Sequence, residues 1–387
     1  MGRRIGMEVA IAAAEAVALC RIDVAAVYPI TPQSHIAEHL SDIVHDGRID
    51  AEFLTVESEH SSISACAGAS AAGARVYTAT SSQGLMLMHE ILPIVSAMRL
   101  PVVMGVANRA VSGPLNIWND HTDIMPQRDC GWIQLFAENG QEVIDMSIQS
   151  FKIAEHPEVM LPVLVNIDGF QLTHMIEPME MPTQEEVDRF LPERKPFATL
   201  HPDNPLSMGC FNMPDIYMET MKAKDVALIN AKKTIIKIWN EWAKLFGREY
   251  RPVESYKAKD AEVLIVTMGS MGETASVAVD EMRKAGKKVG LIKIKLWRPF
   301  PVEEFKAAVR GCKTIAVMDR ALSFGGAGGP VATELKSLFY HDKDRPRIAD
   351  FIMGLGGRDV RVEDFITMAE RASEKEDDTY EFLGVRE

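Results

Sequence analysis

Residues 76–107 contain the stretch that decides the fold, VYTATSSQGLMLMHEILPIVSAMRLPVVMGVA. Its two ends, Val76–Ala79 and Pro101–Ala107, are short and mostly apolar, as in strands that are buried on both faces. Between them, Gly84–Met98 has the length and apolar content of a helix that packs on a sheet. This order of strand, helix and strand predicts two parallel strands that are joined by a helical crossover.

The same alternation continues on both sides of this stretch. Further strands are predicted at Val24–Tyr28, Phe53–Val56 and Leu161–Ile167, and helices at Gln33–Val44 and Ser61–Gly73. Short apolar strands separated by helices predict an α/β fold in which helices cover both faces of a parallel sheet. Active residues are then expected in loops at the C-terminal ends of the strands.

The pattern changes between about residues 171 and 260. Six prolines make the first part irregular: Pro178, Pro182, Pro192, Pro196, Pro202 and Pro205. A long helix is predicted next, from about Asp215 to Phe246. Apolar residues at helical intervals predict that one face of this helix packs against a domain. The residues of that face are Tyr217, Met221, Leu228, Ile235, Ile238, Trp242 and Leu245.

A second α/β unit begins near residue 261. Strands are predicted at Val263–Met268, Val289–Ile294 and Lys313–Met318, and a helix at Glu273–Ala285. The predicted divisions of the chain are a first domain at 1–170, reaching about 240 on a wider definition, a connector at 171–260 and a second domain at 261–387.

Composition and charge narrow the class of protein. Of the 387 residues, 47% are hydrophobic and 25% are charged, as in ordinary soluble proteins. The formal net charge of -13 and the lack of a basic cluster argue against a nucleic-acid partner. Glu8 and Glu15 interrupt the apolar N-terminal segment, and no run reaches the ~20 apolar residues of a membrane span. A cytoplasmic protein with no membrane association is therefore expected.

The five cysteines are dozens of residues apart: Cys20, Cys66, Cys130, Cys210 and Cys312. None has the C-x-x-C or related spacing that holds an iron–sulfur cluster or zinc. The chain is therefore expected to hold no metal and no cluster of its own.

Two polar segments follow predicted strands in the N-terminal part. In YPITP (28–32), two prolines fix a loop that presents the Thr31 hydroxyl, which could bind a substrate carboxylate. The alternative is that Thr31 or Ser34 caps the next helix. In VESEHS (56–61), Glu57 and Glu59 enter a region of small residues where burial could tune a carboxylate pKa. The alternative is a favourable interaction of these acids with the helix dipole.

Two more segments follow the strands of the opening stretch. TSSQG (80–84) could offer backbone N–H groups to a ligand, or could cap the next helix. In residues 108–123, Arg109 could clamp a carboxylate with its guanidinium, or form an ion pair with a structural aspartate. His121, beside Asp120, is a candidate general base, although a histidine in such a loop is more often structural.

Motifs for phosphate binding are missing from the sequence. Gly326–Val331 lacks the final glycine of a dinucleotide fingerprint, and Pro330 interrupts the helix start, so this segment is interpreted as a turn. The chain also has no Gly-Asp-Gly…Asn-Asn run of the kind that binds a magnesium-held diphosphate.

Taken together, YPITP, VESEHS, TSSQG and NRAVSGPLNIWNDH (108–121) resemble the alpha subunit of the pyruvate:ferredoxin oxidoreductase (2-oxoacid:ferredoxin oxidoreductase) family in sequence, order and spacing. The resemblance spans nearly the whole chain, since Glu262–Gly329 is similar to the transketolase C-terminal-like domain of that family. It implies a pyrimidine-type thiamine diphosphate-binding domain with a parallel sheet, followed by a transketolase C-terminal-like α/β domain.

The resemblance also implies an activity in a multi-subunit complex with beta, gamma and delta-type subunits. A 2-oxoacid is oxidatively decarboxylated to acyl-CoA and CO2, and coenzyme A takes the acyl group. Electrons pass through [4Fe-4S] clusters on partner subunits to ferredoxin or a similar acceptor. The beta subunit would hold the diphosphate and Mg²⁺, which would account for the missing diphosphate motif.

Site residues are carried over from the resemblance by motif. Glu59 would hydrogen-bond the aminopyrimidine ring of the cofactor and promote removal of its thiazolium proton, with Glu57 as the second candidate. Thr31 and Arg109 would bind the carboxylate of the 2-oxoacid. Three further residues are expected to contact the cofactor: Ser82, Gln83 and Asn108.

Several readings of the function stay open at this point. Pyruvate is the first expected substrate because the Thr31 loop resembles the pyruvate type, while branched-chain or aromatic 2-oxoacids are alternatives. 2-Oxoglutarate is less expected, since no extra basic residue lies beside Thr31. A non-catalytic structural subunit is a further alternative, although it would need none of Thr31, Glu59 and Arg109. The missing diphosphate motif opposes an autonomous transketolase-like enzyme.

Overall fold

The computed structural model describes residues 2–374 and 379–386. The elements of the N-terminal part are β1 (Arg3–Glu8), α1 (Val9–Leu19), β2 (Val24–Ala26), α2 (Ser34–His45), β3 (Glu52–Leu54), α3 (Glu59–Ala71), β4 (Val76–Thr80), α4 (Ser82–Met88), α5 (Leu92–Ala97), β5 (Val102–Asn108), a 3-10 helix (Met125–Asp129), β6 (Ile133–Phe136), α6 (Gly140–Glu155), β7 (Val163–Asp168), β8 (Ile176–Met181), α7 (Gln184–Phe190) and α8 (Pro214–Phe246).

The C-terminal part begins after α8. Its elements are β9 (Val253–Tyr256), β10 (Val263–Thr267), α9 (Met271–Lys284), β11 (Val289–Ile294), β12 (Leu296–Arg298), α10 (Val302–Ala308), β13 (Thr314–Asp319), α11 (Pro330–Phe339), β14 (Arg347–Ile352), a 3-10 helix (Leu355–Gly357), α12 (Val362–Glu374) and β15 (Tyr380–Phe382).

The first sheet has seven strands in the order β12-β6-β7-β5-β4-β2-β3. All pairs among β2 to β7 are parallel, and every residue of β4, β5, β6 and β7 is buried. The predicted central strands are thereby confirmed. β2 and β3 are only three residues long, shorter than predicted. A separate two-stranded sheet pairs β1 with β8 in antiparallel fashion.

The helix predicted at Gly84–Met98 is wrong as a single helix. The chain forms α4 and α5 instead, and Pro93 lies at the start of α5. Proline has no backbone N–H, and its ring clashes with the carbonyl group four residues earlier, so an uninterrupted helix cannot pass through it.

The long helix predicted after the proline-rich segment is confirmed as α8, but the prediction of its packing face is only half right. Its buried residues all lie in the C-terminal half: Ala231, Thr234, Ile235, Ile238, Trp239 and Trp242. Tyr217, Met221 and Leu245 are exposed. The C-terminal half is held because Trp242 Nε1–H donates to the buried Asp145 carboxylate over 3.1 Å.

The second sheet has six strands in the order β15-β14-β13-β10-β11-β9. Its strand pairs are parallel except for β9 against β11, and the predicted strands correspond to β10, β11 and β13. One hydrophobic cluster continues from this unit into the first, where Leu264 and Val317 belong to the same cluster as Val102 and Trp132. Within residues 2–374 and 379–386, no helix is both long and apolar enough to cross a membrane.

Charged side chains also tie the two units together. Asp168, at the end of β7, accepts hydrogen bonds from Arg320 Nη1 over 2.9 Å and from the Ser270 backbone N–H over 2.9 Å. Burial by itself would raise the pKa of Asp168, but Arg320 and His121 outweigh it and hold that pKa well below its usual range. In addition, β12 leaves the second unit to pair with β6, where Leu296 lies opposite Leu135.

We expect Arg320→Met to destabilise the protein by about 3–5 kcal/mol, because it leaves the Asp168 charge buried without its strongest partner. Urea unfolding would measure the loss. Arg361→Met is the matched control, since it breaks an ion pair to Asp364 in which the arginine is largely exposed, and such pairs contribute little. Equal midpoints for the two variants would show that Asp168 does not depend on Arg320.

Candidate active site

The four polar segments singled out in the sequence meet at one edge of the first sheet. Each follows the C-terminal end of one strand: β2, β3, β4 or β5. These strands are neighbours and run parallel, so their C-terminal ends lie side by side. The four segments therefore share one edge of the sheet, at the strand ends where active residues were expected.

Arg109 lies directly after β5 and is only 7% exposed. Its guanidinium donates hydrogen bonds to three oxygens: the Asn116 carbonyl at 3.0 Å, the Thr31 carbonyl at 2.9 Å and Gln83 Oε1 at 3.4 Å. None of these oxygens carries a full charge. Among the residues that the structure describes, no carboxylate forms an ion pair with Arg109, so the alternative of a structural salt bridge is not supported.

The Thr31 side chain is exposed at the loop that precedes α2. The capping alternative is not supported, because the first residue before α2 is Gln33 and no side-chain cap hydrogen bond is present at this helix start. Thr31 contributes its backbone carbonyl to Arg109 and leaves its hydroxyl at the surface of the site. Thr31 and Arg109 are thus brought together, although their sequence positions are 78 residues apart.

Glu59 is the first residue of α3, where the Ser58 side chain accepts the Ser61 backbone N–H and caps the helix. It is 7% exposed, and its carboxylate has no hydrogen bond or ion pair with any residue in the described part of the chain. A Cβ atom on Gly84 would lie 2.6 Å from Glu59 Oε1, so only glycine leaves room for this carboxylate. Glu57, the second candidate, is exposed.

Ser82 and Gln83 begin α4. Ser82 has a left-handed backbone with φ +45°, which is uncommon for a residue other than glycine. Its hydroxyl lies 2.6 Å from both the Ala110 carbonyl and Gln83 Oε1. The capping alternative for this segment is not supported either, because the residue before α4 makes no side-chain cap hydrogen bond. Gln83 links this turn to Arg109.

Asp123 is a buried residue whose role the sequence analysis missed. Its Oδ2 accepts the backbone N–H groups of Ser82 at 3.1 Å and Arg109 at 3.0 Å, and its Oδ1 accepts Asn108 Nδ2–H at 3.1 Å. One carboxylate thus fixes three predicted site residues. Burial raises the pKa of Asp123 to about 7, although these donors act in the opposite direction. The sequence did contain a signal for Asp123: it is an acidic residue at the end of a polar segment that follows a buried strand.

We expect Asp123→Asn to lower the melting temperature, because an amide has one oxygen where the carboxylate has two. The folded-state pKa of Asp123, about 7, is above its usual value of 3.8. Its stabilising contribution is therefore complete below about pH 4 and is lost as the pH rises through about 7. Across this pH range, the melting temperature should fall less in the variant than in the wild type. Part of the fall should remain, because burial also raises the pKa of Glu142 to about 7. If the melting temperature of the variant depended on pH as strongly as that of the wild type, the raised pKa of Asp123 would be contradicted.

Several buried polar atoms around the site have no hydrogen-bond partner among the described residues. They are Gln33 Nε2, Thr80 Oγ1, Ser81 Oγ and Asn108 Oδ1. Thr80 Oγ1 and the Glu59 carboxylate both border Gly84. Buried polar groups are normally hydrogen-bonded, so these atoms have hydrogen-bonding capacity that a polar ligand could use. The arrangement fits a group that brings its own donors and acceptors to this edge of the sheet.

His121 does not occupy a position for general-base chemistry at this site. Its Nε2 lies 3.0 Å from Asp168 Oδ1, and its ring packs edge-on against Phe136. The histidine is buried in the contact between the two units. The structural interpretation of His121 is therefore supported.

Two family models match this chain, one in each of its two parts. The model described as "Pyruvate flavodoxin/ferredoxin oxidoreductase, thiamine diP-bdg" matches residues 15–239. The model described as "Pyruvate:ferredoxin oxidoreductase core domain II" matches residues 261–365.

Two relatives show how far the similarity extends. The pyruvate synthase subunit PorA of Methanothermobacter thermautotrophicus is 46% identical over 379 residues, which are 97% of this chain and 97% of that protein. The ketoisovalerate oxidoreductase subunit VorA of Pyrococcus horikoshii is 44% identical over 361 residues, 93% of this chain and 91% of that protein.

Two solved structures share the fold. The 2-oxoglutarate:ferredoxin oxidoreductase from Magnetococcus marinus gives a TM-score of 0.70 at 20% identity, over 95% of this chain and 65% of that chain. A split-gene transketolase gives 0.57 at 10% identity, over 95% of this chain and 98% of that chain. The predicted fold, a thiamine diphosphate-binding domain followed by a transketolase C-terminal-like domain, is confirmed. Because a family model matches more than half of its length and a relative is 46% identical across nearly all of it, this chain belongs to the pyruvate flavodoxin/ferredoxin oxidoreductase family.

Proposed function

We propose that this chain is the alpha subunit of a 2-oxoacid:ferredoxin oxidoreductase that acts on pyruvate. The observation that carries the proposal is a pair of buried charged side chains, the Glu59 carboxylate and the Arg109 guanidinium, neither of which forms an ion pair in the described part of the chain. They contact consecutive residues at the start of α4, since Gln83 meets Arg109 and Gly84 adjoins Glu59. Leaving charges buried and unpaired is costly, so both are expected to be satisfied by ligands.

Glu59 is the residue proposed to hold the aminopyrimidine ring of thiamine diphosphate. A buried carboxylate can accept a hydrogen bond from a ring N–H and exchange that proton. The unpaired Thr80 and Ser81 hydroxyls, with Asn108 Oδ1, offer further contacts to a polar heterocycle. When bound, the cofactor supplies the nucleophilic carbon that attacks the 2-oxoacid carbonyl group. A beta subunit would hold the diphosphate and Mg²⁺.

Arg109 and Thr31 are proposed to bind the substrate carboxylate. The guanidinium has more N–H donors than its three present contacts use. Arginine and a carboxylate also match in shape, so the remaining donors can hold a planar anion in one orientation. The Thr31 hydroxyl lies at the exposed side of the same contact, and it could donate to the second carboxylate oxygen. Together they would orient the carbonyl group for attack.

Pyruvate is the first choice among 2-oxoacids on the sequence of the Thr31 loop and on the relatives. The PorA relative is described as a pyruvate synthase subunit, and the VorA relative, only two points lower in identity, as a ketoisovalerate oxidoreductase subunit. A branched-chain substrate is therefore the second candidate, and an aromatic one such as phenylglyoxylate remains the third.

The chain is proposed to work with beta, gamma and delta-type subunits in the cytoplasm. The partner subunits would carry [4Fe-4S] clusters, pass electrons to ferredoxin or a similar acceptor, and let coenzyme A take the acyl group. A structural subunit without catalytic residues is the alternative. The unpaired Glu59 and Arg109 charges speak against it, because a scaffold gains nothing from burying them.

The native complex tests the proposal directly. It would be co-purified, and the iron–sulfur absorbance recorded after addition of pyruvate, 2-oxoisovalerate, phenylglyoxylate or 2-oxoglutarate, each with coenzyme A. Bleaching that is fastest with pyruvate is expected. If another 2-oxoacid bleached the absorbance faster, that acid would be the substrate and not pyruvate. If no acid bleached it despite bound thiamine diphosphate, the chain would be better explained as a structural subunit.

A further inference from the structure

Three potential metal ligands from distant parts of the sequence meet beside the first sheet. Glu8 ends β1, His35 is the second residue of α2, and His174 precedes β8. The pairing of β1 with β8 brings Glu8 and His174 together. Backbone hydrogen bonds from Val9 to the Met175 carbonyl at 3.0 Å and from Ala10 to the Thr173 carbonyl at 2.9 Å fix this contact. The backbone therefore holds Glu8 and His174 next to each other without the help of an ion.

The side chains converge on one point. His35 Nδ1 lies 2.5 Å from Glu8 Oε1, and the His35 and His174 ring centroids are 4.6 Å apart. One ligand atom from each of the three residues lies within 4.8 Å of the other two. Two imidazoles that bind one tetrahedral ion through bonds of about 2.1 Å hold their ring centroids about 5 Å apart, close to the observed separation. All three residues are only partly buried, so an ion can reach them.

We propose that Glu8, His35 and His174 bind one divalent transition-metal ion of the zinc class. Two imidazole nitrogens and one carboxylate oxygen form a ligand set that suits Zn²⁺ and similar ions and disfavours Mg²⁺ and Ca²⁺, which prefer oxygen. Three protein ligands leave an open coordination position. None of the three ligands is among the residues proposed to contact thiamine diphosphate or the substrate.

A neighbouring hydroxyl orients one of the ligands. Thr173 Oγ1 lies 2.8 Å from His174 Nδ1 and accepts the Phe170 backbone N–H over 2.8 Å. When Nδ1–H donates to this oxygen, the lone pair of Nε2 is left for a metal ion. Such hydrogen bonds to the distal ring nitrogen are a regular feature of metal-binding histidines. The Phe170 ring packs against His174, with centroids 4.6 Å apart, and further restricts its orientation.

The charges around the three residues also favour a cation. Glu8 supplies one negative charge, and no lysine or arginine in the described ranges forms an ion pair with it. Histidine binds a metal ion only through an unprotonated ring nitrogen. Binding should therefore strengthen as the pH rises.

Two similar clusters in the chain already contain a cation. The carboxylates of Glu138 and Glu142 surround the ammonium group of Lys295, each with an oxygen 2.6 Å from it. One helical turn beyond His35, His39 contacts Glu15 at 2.8 Å, but Arg48 donates two hydrogen bonds to the same carboxylate. The His39 pair is thus a natural control: the same residue types on the same helix, with the cation site filled.

Zinc titration of the full-length chain, stripped with a chelator, tests the proposal. We expect one Zn²⁺ per chain in the wild type, with affinity about 100-fold or more weaker in Glu8→Gln and His35→Gln. His39→Gln should bind zinc like the wild type. Co²⁺ would serve as a spectroscopic probe, because the proposed ligands give visible bands without the thiolate charge-transfer absorption that an exposed cysteine would add. Circular dichroism would confirm that all variants are folded.

Three outcomes would overturn the assignment. They are the absence of zinc binding in the wild type, equal zinc affinity in all variants, and a thiolate signature in the Co²⁺ spectrum that persists in Glu8→Gln. Because the readout is metal binding and not turnover, the result is independent of whether pyruvate is the substrate.

Discussion

Glu59→Gln is expected to lower kcat of the assembled complex by about 10²–10⁴-fold, the usual contribution of a positioned acid–base group. Glutamine preserves the size of the side chain, so the narrow space beside Gly84 remains filled. It cannot carry the negative charge or exchange a proton with a heterocycle. Turnover of pyruvate with coenzyme A would be measured alongside co-elution of the subunits and the content of bound thiamine diphosphate.

Glu57→Gln is the matched control for this experiment. Glu57 lies two residues earlier in the same segment but is exposed, so its replacement should leave turnover near the wild-type value. Wild-type activity in Glu59→Gln would remove Glu59 from the chemistry. A large loss in Glu57→Gln instead would show that the other carboxylate serves the cofactor in the assembled complex.

Arg109→Gln should lower kcat/KM for pyruvate by about 30- to 1000-fold, which corresponds to about 2–4 kcal/mol for a buried charged contact. The main change is expected in KM, because the guanidinium binds the substrate carboxylate before and during the reaction. The glutamine Nε2 falls at about the place of the arginine Nε, so it can still donate to the Asn116 carbonyl and help to hold that loop in place. Steady-state kinetics of the complex at varied pyruvate would separate kcat from KM.

Arg99→Gln controls for the general cost of losing a partly buried guanidinium. Arg99 donates to the Met160 carbonyl at 2.9 Å and, like Arg109, meets only uncharged oxygens through its side chain. It lies before β5, at the opposite end of that strand from Arg109. Its replacement should affect stability more than KM. If Arg109→Gln changed only stability as well, the proposed contact with the substrate carboxylate would be wrong.

The expected effects of Glu59→Gln and Arg109→Gln have a common structural origin at the start of α4. Asp123 holds the backbone N–H groups of Ser82 and Arg109, and this places Gln83 against Arg109 and Gly84 against Glu59. Glu59, Arg109 and the start of α4 are therefore held in place together. A shift of the turn would disturb the cofactor contact and the substrate contact together, so variants at Asp123 should change kcat and KM at once.

Much of the first unit could be predicted from the sequence. Apolar runs such as Val102–Asn108 are buried on both faces, and their alternation with helices is a local pattern that a short window contains. The four polar segments also stand at strand ends, where parallel sheets place active residues. The helix break at Pro93 had a local signal as well, since proline cannot continue a helix.

Other features depended on contacts between residues far apart in the chain. Glu57 and Glu59 differ in burial, and the sequence of the loop alone does not show which of the two is buried. Asp123 matters only because the fold sets its carboxylate beside Ser82, 41 residues earlier. The exposed half of α8 carries the same apolar spacing as the buried half, and only the packing of its C-terminal end on α6 distinguishes them.

The sequence by itself determined the fold class, the family and the edge of the sheet at which the candidate site lies. These follow from periodicity and short motifs, which are properties of neighbouring residues. Only the tertiary structure decided which charges are buried without partners and which residues meet across the chain, as Glu8, His35 and His174 do. The free energy of a buried charge depends on what surrounds it in three dimensions, and that environment is not present in any local stretch of sequence.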